Sequence, residues 1–234
     1  MKSAVDLYDY IYSWKDYTGE ADIIHKILSS HGCAKGTLLE LACGTGRYIE
    51  NWSMYDCYGV DLCSRSIELA SRRNPRAHWY CTDMKDTKLT MSFDAIVCLF
   101  GGIAYLSEEE LQIALTHWYS LLKDDGILIV EPWLEKKQID FDKPFLQTYQ
   151  TLNLKIARMV VPKELQGCCE LNFSFLVSRA GFKVELFECQ DRLWLYSRTR
   201  IQKKIEAAGF RFIESRESFL AASNLLIFNR PSSF

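Results

Sequence analysis

Apolar runs alternate with amphipathic runs through the first 130 residues of the chain. This alternation is typical of a parallel β-sheet whose strands are connected by helices. Five strands are predicted at TLLELA, CYGVDL, AHWYCT, FDAIVCLF and GILIVEPW. The fourth run is apolar on both faces, which favours a position in the centre of the sheet.

The helices between these strands are predicted from their caps and their spacing. A short helix is expected from about Arg47 to Trp52, and Ser64 is expected to cap a second helix that ends before Pro75. The clearest helix follows Ser107, which forms a capping box with Glu110. Its apolar residues recur at helical spacing: Leu111, Ala114, Leu115, Trp118, Leu121 and Leu122.

The pattern changes after Trp133, where apolar and polar residues begin to alternate one by one. Such alternation predicts antiparallel strands, here at LNLKIARMVV, CCELNFSFLV and FKVELFECQ. We interpret residues 134–198 as an inserted β-rich segment that covers the active site of the protein. A helix from about Thr199 to Ala208 then leads to two closing strands, FRFIES and NLLIFN.

Length, charge and cysteine usage narrow the function classes. A chain of 234 residues can bury a substantial core, and its net charge of −2 with scattered basic residues carries no signature of nucleic-acid or membrane binding. Neither an apolar leader nor a run of 18 apolar residues is found. The nine cysteines lack a CxxC pair and the four histidines lack metal-like spacing. We expect a cytoplasmic, metal-free protein that acts on a small molecule.

Two glycines after the first predicted strand, Gly44 and Gly46, indicate a close approach of the backbone to a ligand or a tight turn. Asp61 ends the second strand, where a carboxylate can accept both hydroxyls of a ribose. Asp83 follows the third strand and can accept a hydrogen bond from an adenine amino group. Met84 and Leu62 are then expected to pack on the two faces of the adenine ring, although each acidic residue can also be a surface charge.

Both NAD and S-adenosylmethionine (SAM) place an acidic residue at the end of the second strand. The NAD fingerprint requires a third glycine for close helix packing, and Ile49 or Glu50 occupies that position here. SAM instead requires hydrogen-bonding groups for its amino acid end. Glu40, the carbonyl of Ala42 and the amides of the turn can supply them, so SAM is the favoured cofactor.

Five blocks of the chain match a known family: LLELACGTGRY, YGVDLCSRSIELA, CTDM, FDAIVCLFGGIAYL and LKDDGILIVEPW. In order and spacing they resemble the class I SAM-dependent methyltransferases. Ala42 stands where many members have glycine, and we expect this difference to cost little because Ala tolerates ordinary strand geometry. The segments DLYDYIYSWKDYTGEADII, CLFGGIAYL and EPW look like those of small-molecule N-methyltransferases that dimethylate amino groups of nucleotide-linked deoxysugars.

The resemblance implies a Rossmann-like α/β fold in a single domain over residues 1–234. The sheet would have seven strands in the order 3-2-1-4-5-7-6, the last antiparallel, with a helical segment at residues 1–32 and an antiparallel cover. It also implies that Tyr12 and Tyr17 close over the methionine end of SAM and that Leu99 contacts the cofactor. Tyr105 and Glu131 would face the acceptor.

We therefore predict methyl transfer from SAM to a small-molecule amine, with an amino sugar as one candidate. Glu131 can orient the amine or take its proton through water, or it can pair with a nearby lysine. Tyr12 and Tyr17 can hold a cation by cation–π attraction. The helical spacing of Tyr8 and Tyr12 is equally consistent with packing in the core. Two alternatives remain open: a small-molecule O-methyltransferase and a catalytically silent SAM-binding subunit. A homodimer is an open possibility, because antiparallel strands can present an edge to a partner.

Overall fold

The computed structural model describes residues 4–219 and 224–232. Eleven strands lie in this part of the chain and form two sheets. The strands are β1 Gly36–Leu41, β2 Tyr55–Asp61, β3 His78–Cys81, β4 Phe93–Cys98, β5 Leu122–Val130, β6 Phe145–Gln150, β7 Leu154–Leu165, β8 Cys168–Arg179, β9 Glu185–Trp194, β10 Arg211–Glu217 and β11 Asn224–Asn229.

The larger sheet has seven strands in the order β3-β2-β1-β4-β5-β11-β10. Strands β1 to β5 are parallel, whereas β11 is antiparallel to both of its neighbours, β5 and β10. The predicted strand order and the antiparallel last strand are therefore confirmed. The central strand β4 is buried along almost its whole length, as its continuous apolar run indicates.

Five α-helices are described: α1 Val5–Ile11, α2 Tyr17–Ser30, α3 Ser64–Arg73, α4 Glu108–Leu121 and α5 Arg198–Ala207. Three 3₁₀ turns lie at Ile49–Asn51, Gly102–Tyr105 and Lys136–Gln138. The capping box of α4 is present, with the Ser107 side chain on the Glu110 amide and the Glu110 carboxylate on the Ser107 amide. Within the described ranges, no helix has the length and apolar character needed to cross a membrane.

Two helix predictions are wrong in detail. The helix expected from Arg47 to Trp52 is a single 3₁₀ turn, because the indole of Trp52 is buried with its N–H on the Ala21 carbonyl (3.0 Å) and the chain enters β2 three residues later. Ser64 is the first residue of α3 rather than its cap. The N-cap position belongs to Cys63, whose side chain makes no capping hydrogen bond.

The described chain divides into two compact units. The larger unit contains Asp16–Leu134 and the residues from Tyr196 onward, with the seven-stranded sheet. The smaller unit combines the residues up to Lys15 with Glu135–Leu195. In the smaller unit, β6 to β9 form an antiparallel sheet in sequence order, and α1 packs Leu7 and Ile11 against one of its faces.

The smaller sheet has one strand more than the sequence analysis predicted. Strand β6 pairs with β7 from Phe145 opposite Val160 to Gln150 opposite Lys155. Its six residues are mostly exposed, so the alternation of buried and exposed positions that marks β7 is weak there. An edge strand of this kind gains its stability from one neighbour, and its own sequence carries little of the signal.

Arg230, which follows β11, is expected to stabilise the end of α4. Its Nη1 donates to the carbonyl oxygens of Tyr119 (3.2 Å) and Leu122 (2.5 Å), and the guanidinium lies 4.9 Å from the Tyr119 ring centroid. Because the last carbonyls of a helix have no helical donors, Arg230→Ala should lower the free energy of unfolding by about 2 kcal/mol in urea denaturation. Lys26→Ala, which removes one exposed ion pair with Asp22, is the control and should cost less than about 0.5 kcal/mol. Equal losses in the two variants would contradict this role.

Candidate functional site

The turn after β1 has the backbone geometry that glycine permits. Gly44 and Gly46 both have positive φ, +53° and +74°. A Cβ added to Gly44 would meet no atom within 4 Å, so the space beside this residue is open. A Cβ on Gly46 would lie 2.5 Å from the Trp79 ring and 3.0 Å from the Ala70 Cβ. Gly44 therefore leaves room for a ligand, whereas Gly46 is required by close packing within the protein.

Asp61, at the end of β2, is tied to this turn by its carboxylate. Its Oδ2 accepts a hydrogen bond from the Gly44 amide and its Oδ1 accepts one from the Cys63 amide, both at 2.8 Å. Burial raises the pKa of Asp61, and the two amide hydrogen bonds partly oppose that rise. Because each carboxylate oxygen has more than one lone pair, both can accept a further donor, as two ribose hydroxyls would require.

Glu40, in β1, is a buried carboxylate with one unsatisfied oxygen. The side chain is 2% exposed, and within the described residues its Oε2 has no hydrogen-bond partner. Burial and then the negative charge of Asp61 raise the pKa of Glu40 well above its usual range. A buried acceptor without a donor is costly, so this oxygen is suited to a donor that arrives with a ligand, such as an ammonium group.

Ala42 departs from the sequence expectation. Its φ is +54°, in the left-handed region, so the residue does not have the ordinary strand geometry that was expected of it. The reason is local: β1 ends at Leu41, and the chain must turn at once so that the Gly44 amide reaches Asp61. The methyl group of Ala42 also faces Gly102, where an added Cβ would lie 2.9 Å from it.

The residues expected to surround an adenine ring lie after β2 and β3. The Leu62 side chain is 72% exposed, whereas Met84 is buried and its carbonyl oxygen accepts a hydrogen bond from the Trp118 indole (2.8 Å). The Asp83 carboxylate is anchored through Lys85, whose amide donates to Oδ1 (3.0 Å) and whose Nζ lies 3.2 Å from Oδ2. Asp83 is thus oriented rather than free at the surface.

Glu131 follows β5 and is fully buried. Its Oε2 accepts from the Phe100 amide at 2.5 Å, and its Oε1 accepts from the Ser218 hydroxyl. Phe100 has a φ of +52° and Gly101 one of +75°, so the carboxylate stabilises a left-handed turn after β4. Glu131 therefore already holds protein groups with both of its carboxylate oxygens.

Tyr105 and Leu99 flank the same turn after β4. Tyr105 ends the 3₁₀ turn and is 50% exposed, so its ring is accessible. Leu99 is buried in the core of the larger unit, and its carbonyl oxygen accepts from the Gly102 amide at 3.1 Å. The turn thus presents one aromatic side chain to solvent and anchors the rest of its backbone.

Tyr17 and Tyr12 lie in different units. In the larger unit, the Tyr17 ring is buried, 5.1 Å from the Tyr48 ring centroid, with the Arg47 guanidinium 5.0 Å above it. In the smaller unit, the Tyr12 ring lies 5.0 Å from the Arg158 guanidinium, and its hydroxyl accepts from Arg158 Nη1 at 3.2 Å. Each of the two rings thus already lies against an arginine of the protein.

Several residues that shape the site were missed by the sequence analysis. Arg73, at the end of α3, donates to the Thr45 carbonyl oxygen in the glycine turn. Lys85 orients Asp83, and Ser218 holds Glu131 across 87 positions of the chain. A local sequence pattern contains no signal for partners as distant as Ser218 and Glu131. Lys85, in contrast, lies two positions after Asp83, and this spacing could have indicated the ion pair.

Known proteins resemble the chain over nearly its whole length. A family model for a methyltransferase domain matches residues 38–126. The dTDP-3-amino-3,6-dideoxy-alpha-D-glucopyranose N,N-dimethyltransferase of Streptomyces fradiae is 27% identical, covering 87% of this chain and 82% of the relative. The dTDP-3-amino-3,4,6-trideoxy-alpha-D-glucopyranose N,N-dimethyltransferase of Streptomyces venezuelae is 28% identical, with coverages of 88% and 89%.

Solved structures show the same similarity. The crystal structure of Streptomyces venezuelae DesVI superposes with a TM-score of 0.90 and 26% identity, covering 99% of this chain and 100% of DesVI. The sugar N-methyltransferase KedS8 from Streptoalloteichus has the same fold, with a TM-score of 0.88, 22% identity and coverages of 99% and 94%. The chain is a class I methyltransferase that uses SAM as its methyl donor. Among such enzymes it is similar to the amino-sugar N-methyltransferases.

Replacing Ala42 by glycine is expected to stabilise the protein. Because Ala42 has a φ of +54°, Ala42→Gly should relieve backbone strain and raise the free energy of unfolding by about 1 kcal/mol. Ala70→Gly is the matched control, since Ala70 lies inside α3, where glycine should lower stability by about 1 kcal/mol. Urea denaturation measures whether each variant raises or lowers the free energy of unfolding. Destabilisation by Ala42→Gly would show that the strain argument is incorrect.

Proposed function

We propose that the protein transfers a methyl group from SAM to the amino group of a small molecule, and that an amino sugar is the acceptor. The geometric observation that carries the cofactor part is the Asp61 carboxylate bound to the Gly44 amide, beside open space at Gly44. The acceptor part is supported by the relatives, which carry the names of amino-sugar N,N-dimethyltransferases and align with more than four fifths of this chain.

The residues of the larger unit suit SAM in charge and in hydrogen bonding. The unsatisfied Oε2 of Glu40 fits the ammonium group, and the carbonyl of Ala42 lies in the same turn. Asp61 fits the ribose hydroxyls, and Asp83 fits the adenine amino group. The remaining proposed cofactor contacts in this unit are Tyr17, Gly44, Gly46, Leu62, Met84 and Leu99. The family resemblance adds Tyr12, which belongs to the smaller unit.

SAM supplies a methyl group on an already activated sulfonium, so the protein has mainly to align the acceptor and exclude water. We assign acceptor-side roles to Tyr105, Glu131 and Tyr12. Tyr105 is accessible, whereas Glu131 holds the Phe100 amide and the Ser218 hydroxyl. This arrangement supports an orienting role for Glu131 through the turn it stabilises, and gives less support to Glu131 as a proton acceptor.

The two alternative functions are less well supported. An O-methyltransferase needs a base to deprotonate a hydroxyl, and the buried carboxylate of Glu131 already accepts two hydrogen bonds. A silent SAM-binding subunit would have no need of an accessible Tyr105. The names of the similar relatives also specify methylation of nitrogen.

The smaller unit is proposed to have two roles. One is to cover the acceptor, as the inserted segment 134–198 was expected to do. The other is to form a homodimer contact, which is supported by exposed apolar side chains on one face of the smaller sheet: Leu146, Met159, Leu176 and Leu186. We also propose a cytoplasmic location, which the nine unpaired cysteines support.

Removal of the Asp61 charge should weaken SAM binding. Asp61→Asn keeps the side-chain shape but loses an acceptor for the ribose hydroxyls and the charge that faces the Gly44 amide. We expect the dissociation constant for SAM to rise about tenfold to a hundredfold by calorimetry. Asp56→Asn, at an exposed position of the same strand, is the control and should bind as the wild type does. Undiminished binding by Asp61→Asn would refute the assignment of the cofactor site.

A methyl-transfer assay tests the acceptor. With radiolabelled SAM, we expect label to pass to amino sugars or other small amines from a pool that also contains hydroxylated compounds without an amino group. The reason is that a neutral amine has a lone pair ready for alignment, whereas a hydroxyl requires a base. Labelling of the hydroxylated compounds alone would establish the O-methyltransferase instead, and SAM binding without transfer to any class would favour the silent subunit.

A further inference from the structure

The loop between β3 and β4, residues 82–92, carries Asp83 and Met84 and is held on α4 by three contacts. The first is the hydrogen bond from the buried Trp118 indole to the Met84 carbonyl oxygen (2.8 Å). The second is Lys85, whose Nζ lies 2.5 Å from Glu110 Oε1 and 3.2 Å from Asp83 Oδ2. Lys85 thereby links the adenine-side carboxylate to the capping box of α4.

The third contact depends on the protonation of a histidine. His117 Nε2 accepts a hydrogen bond from the Thr87 amide at 3.1 Å and lies 2.9 Å from the Thr87 hydroxyl. Thr87 is 3% exposed, so water cannot readily replace this acceptor. An accepting Nε2 requires a neutral ring with its proton on Nδ1. A second proton on Nε2 would place a donor opposite the Thr87 amide and remove the hydrogen bond.

The environment of His117 favours the neutral ring. Burial lowers the pKa of His117; the negative charge of Asp86 opposes this shift and the positive charge of Lys88 adds to it. On the side of α4 that faces the loop, the other charged pair is Lys85 with Glu110. Because the pKa of His117 is lowered in the folded protein, its ring is neutral and the hydrogen bond from the Thr87 amide is intact at any pH above the ordinary pKa of histidine. This hydrogen bond is lost as the pH falls through the lowered pKa of His117.

We propose that His117 is a positioning residue for the cofactor. It holds the β3–β4 loop on α4, and so keeps Asp83 and Met84 in place for the adenine ring, and protonation of His117 releases the loop. The inference rests on the proposed function, because it takes Asp83 and Met84 as cofactor contacts. The contacts of Lys85 and Trp118 with the loop remain when His117 gains a proton. Loss of the His117 hydrogen bond therefore weakens cofactor binding without abolishing it.

Calorimetric titration with SAM at several values between about pH 4 and about pH 8, a range that extends below the ordinary titration of histidine, tests the proposal. For the wild type we expect affinity to fall about tenfold toward acid pH, the effect of losing one or two hydrogen bonds. His117→Gln keeps an acceptor for the Thr87 amide and cannot titrate, so it should bind like the wild type at neutral pH and retain that affinity at acid pH. His117→Leu removes the acceptor and should bind about tenfold more weakly at every pH.

His78→Gln, which alters a half-exposed histidine of β3, is the control and should follow the wild-type profile. Other titrating groups of the site, including Asp61 and Glu40, affect the SAM affinity of wild type and His117→Gln equally. The proposal would therefore be overturned if the SAM affinity of the two proteins depended on pH in the same way. Thermal denaturation of each variant confirms that it is folded.

A second measurement separates this inference from the proposed function. In ¹⁵N NMR of the cofactor-free protein, His117 should show the tautomer protonated at Nδ1, and the Thr87 amide resonance should move as His117 titrates. Failure of wild type to bind SAM at any pH would refute the proposed function even with this signature present. SAM binding together with an Nε2-protonated tautomer would refute the role of His117 alone.

Discussion

The hydrogen bond from the Gly44 amide to the Asp61 carboxylate is the interaction on which the proposed cofactor site depends. It joins the end of β1 to the end of β2 at 2.8 Å, and it requires the chain to turn within three residues of the last β1 residue, Leu41. The left-handed geometry of Ala42 and Gly44 follows from this requirement, whereas Gly46 is required by close packing against Trp79. The open space beside Gly44 and the unsatisfied oxygen of Glu40 are the two features on which the proposal of a SAM site at this turn rests.

The same kind of constraint recurs after β4. Phe100 adopts a left-handed conformation at the end of the neighbouring strand, and the buried Glu131 carboxylate stabilises it by accepting from its amide. Strained backbone at the carboxyl ends of two adjacent strands is characteristic of a functional edge, where surrounding contacts offset a local cost. Glu131, expected from sequence as a group that acts on the acceptor, is in structure first a group that shapes the turn carrying Tyr105.

Much of the fold could be predicted because its signals are local. The continuous apolar run of β4 and the capping box at Ser107 each contain their information within a few residues, and both are confirmed. The strand order was available only through resemblance to a family, since periodicity does not specify neighbours. The single 3₁₀ turn at Ile49–Asn51 and the edge strand β6 were missed, because burial of Trp52 and pairing with β7 decide them.

By itself, the sequence determined the class of ligand, since glycines after a strand and acidic residues at the ends of the next two strands are short-range patterns with a chemical meaning. Only the tertiary structure decided how those groups are held. Asp83 is oriented by Lys85, Glu131 by Ser218 and Phe100, and the β3–β4 loop by His117. Two of these three arrangements join residues about 30 or more positions apart, and a hydrogen bond across such a separation exists only once the chain has folded.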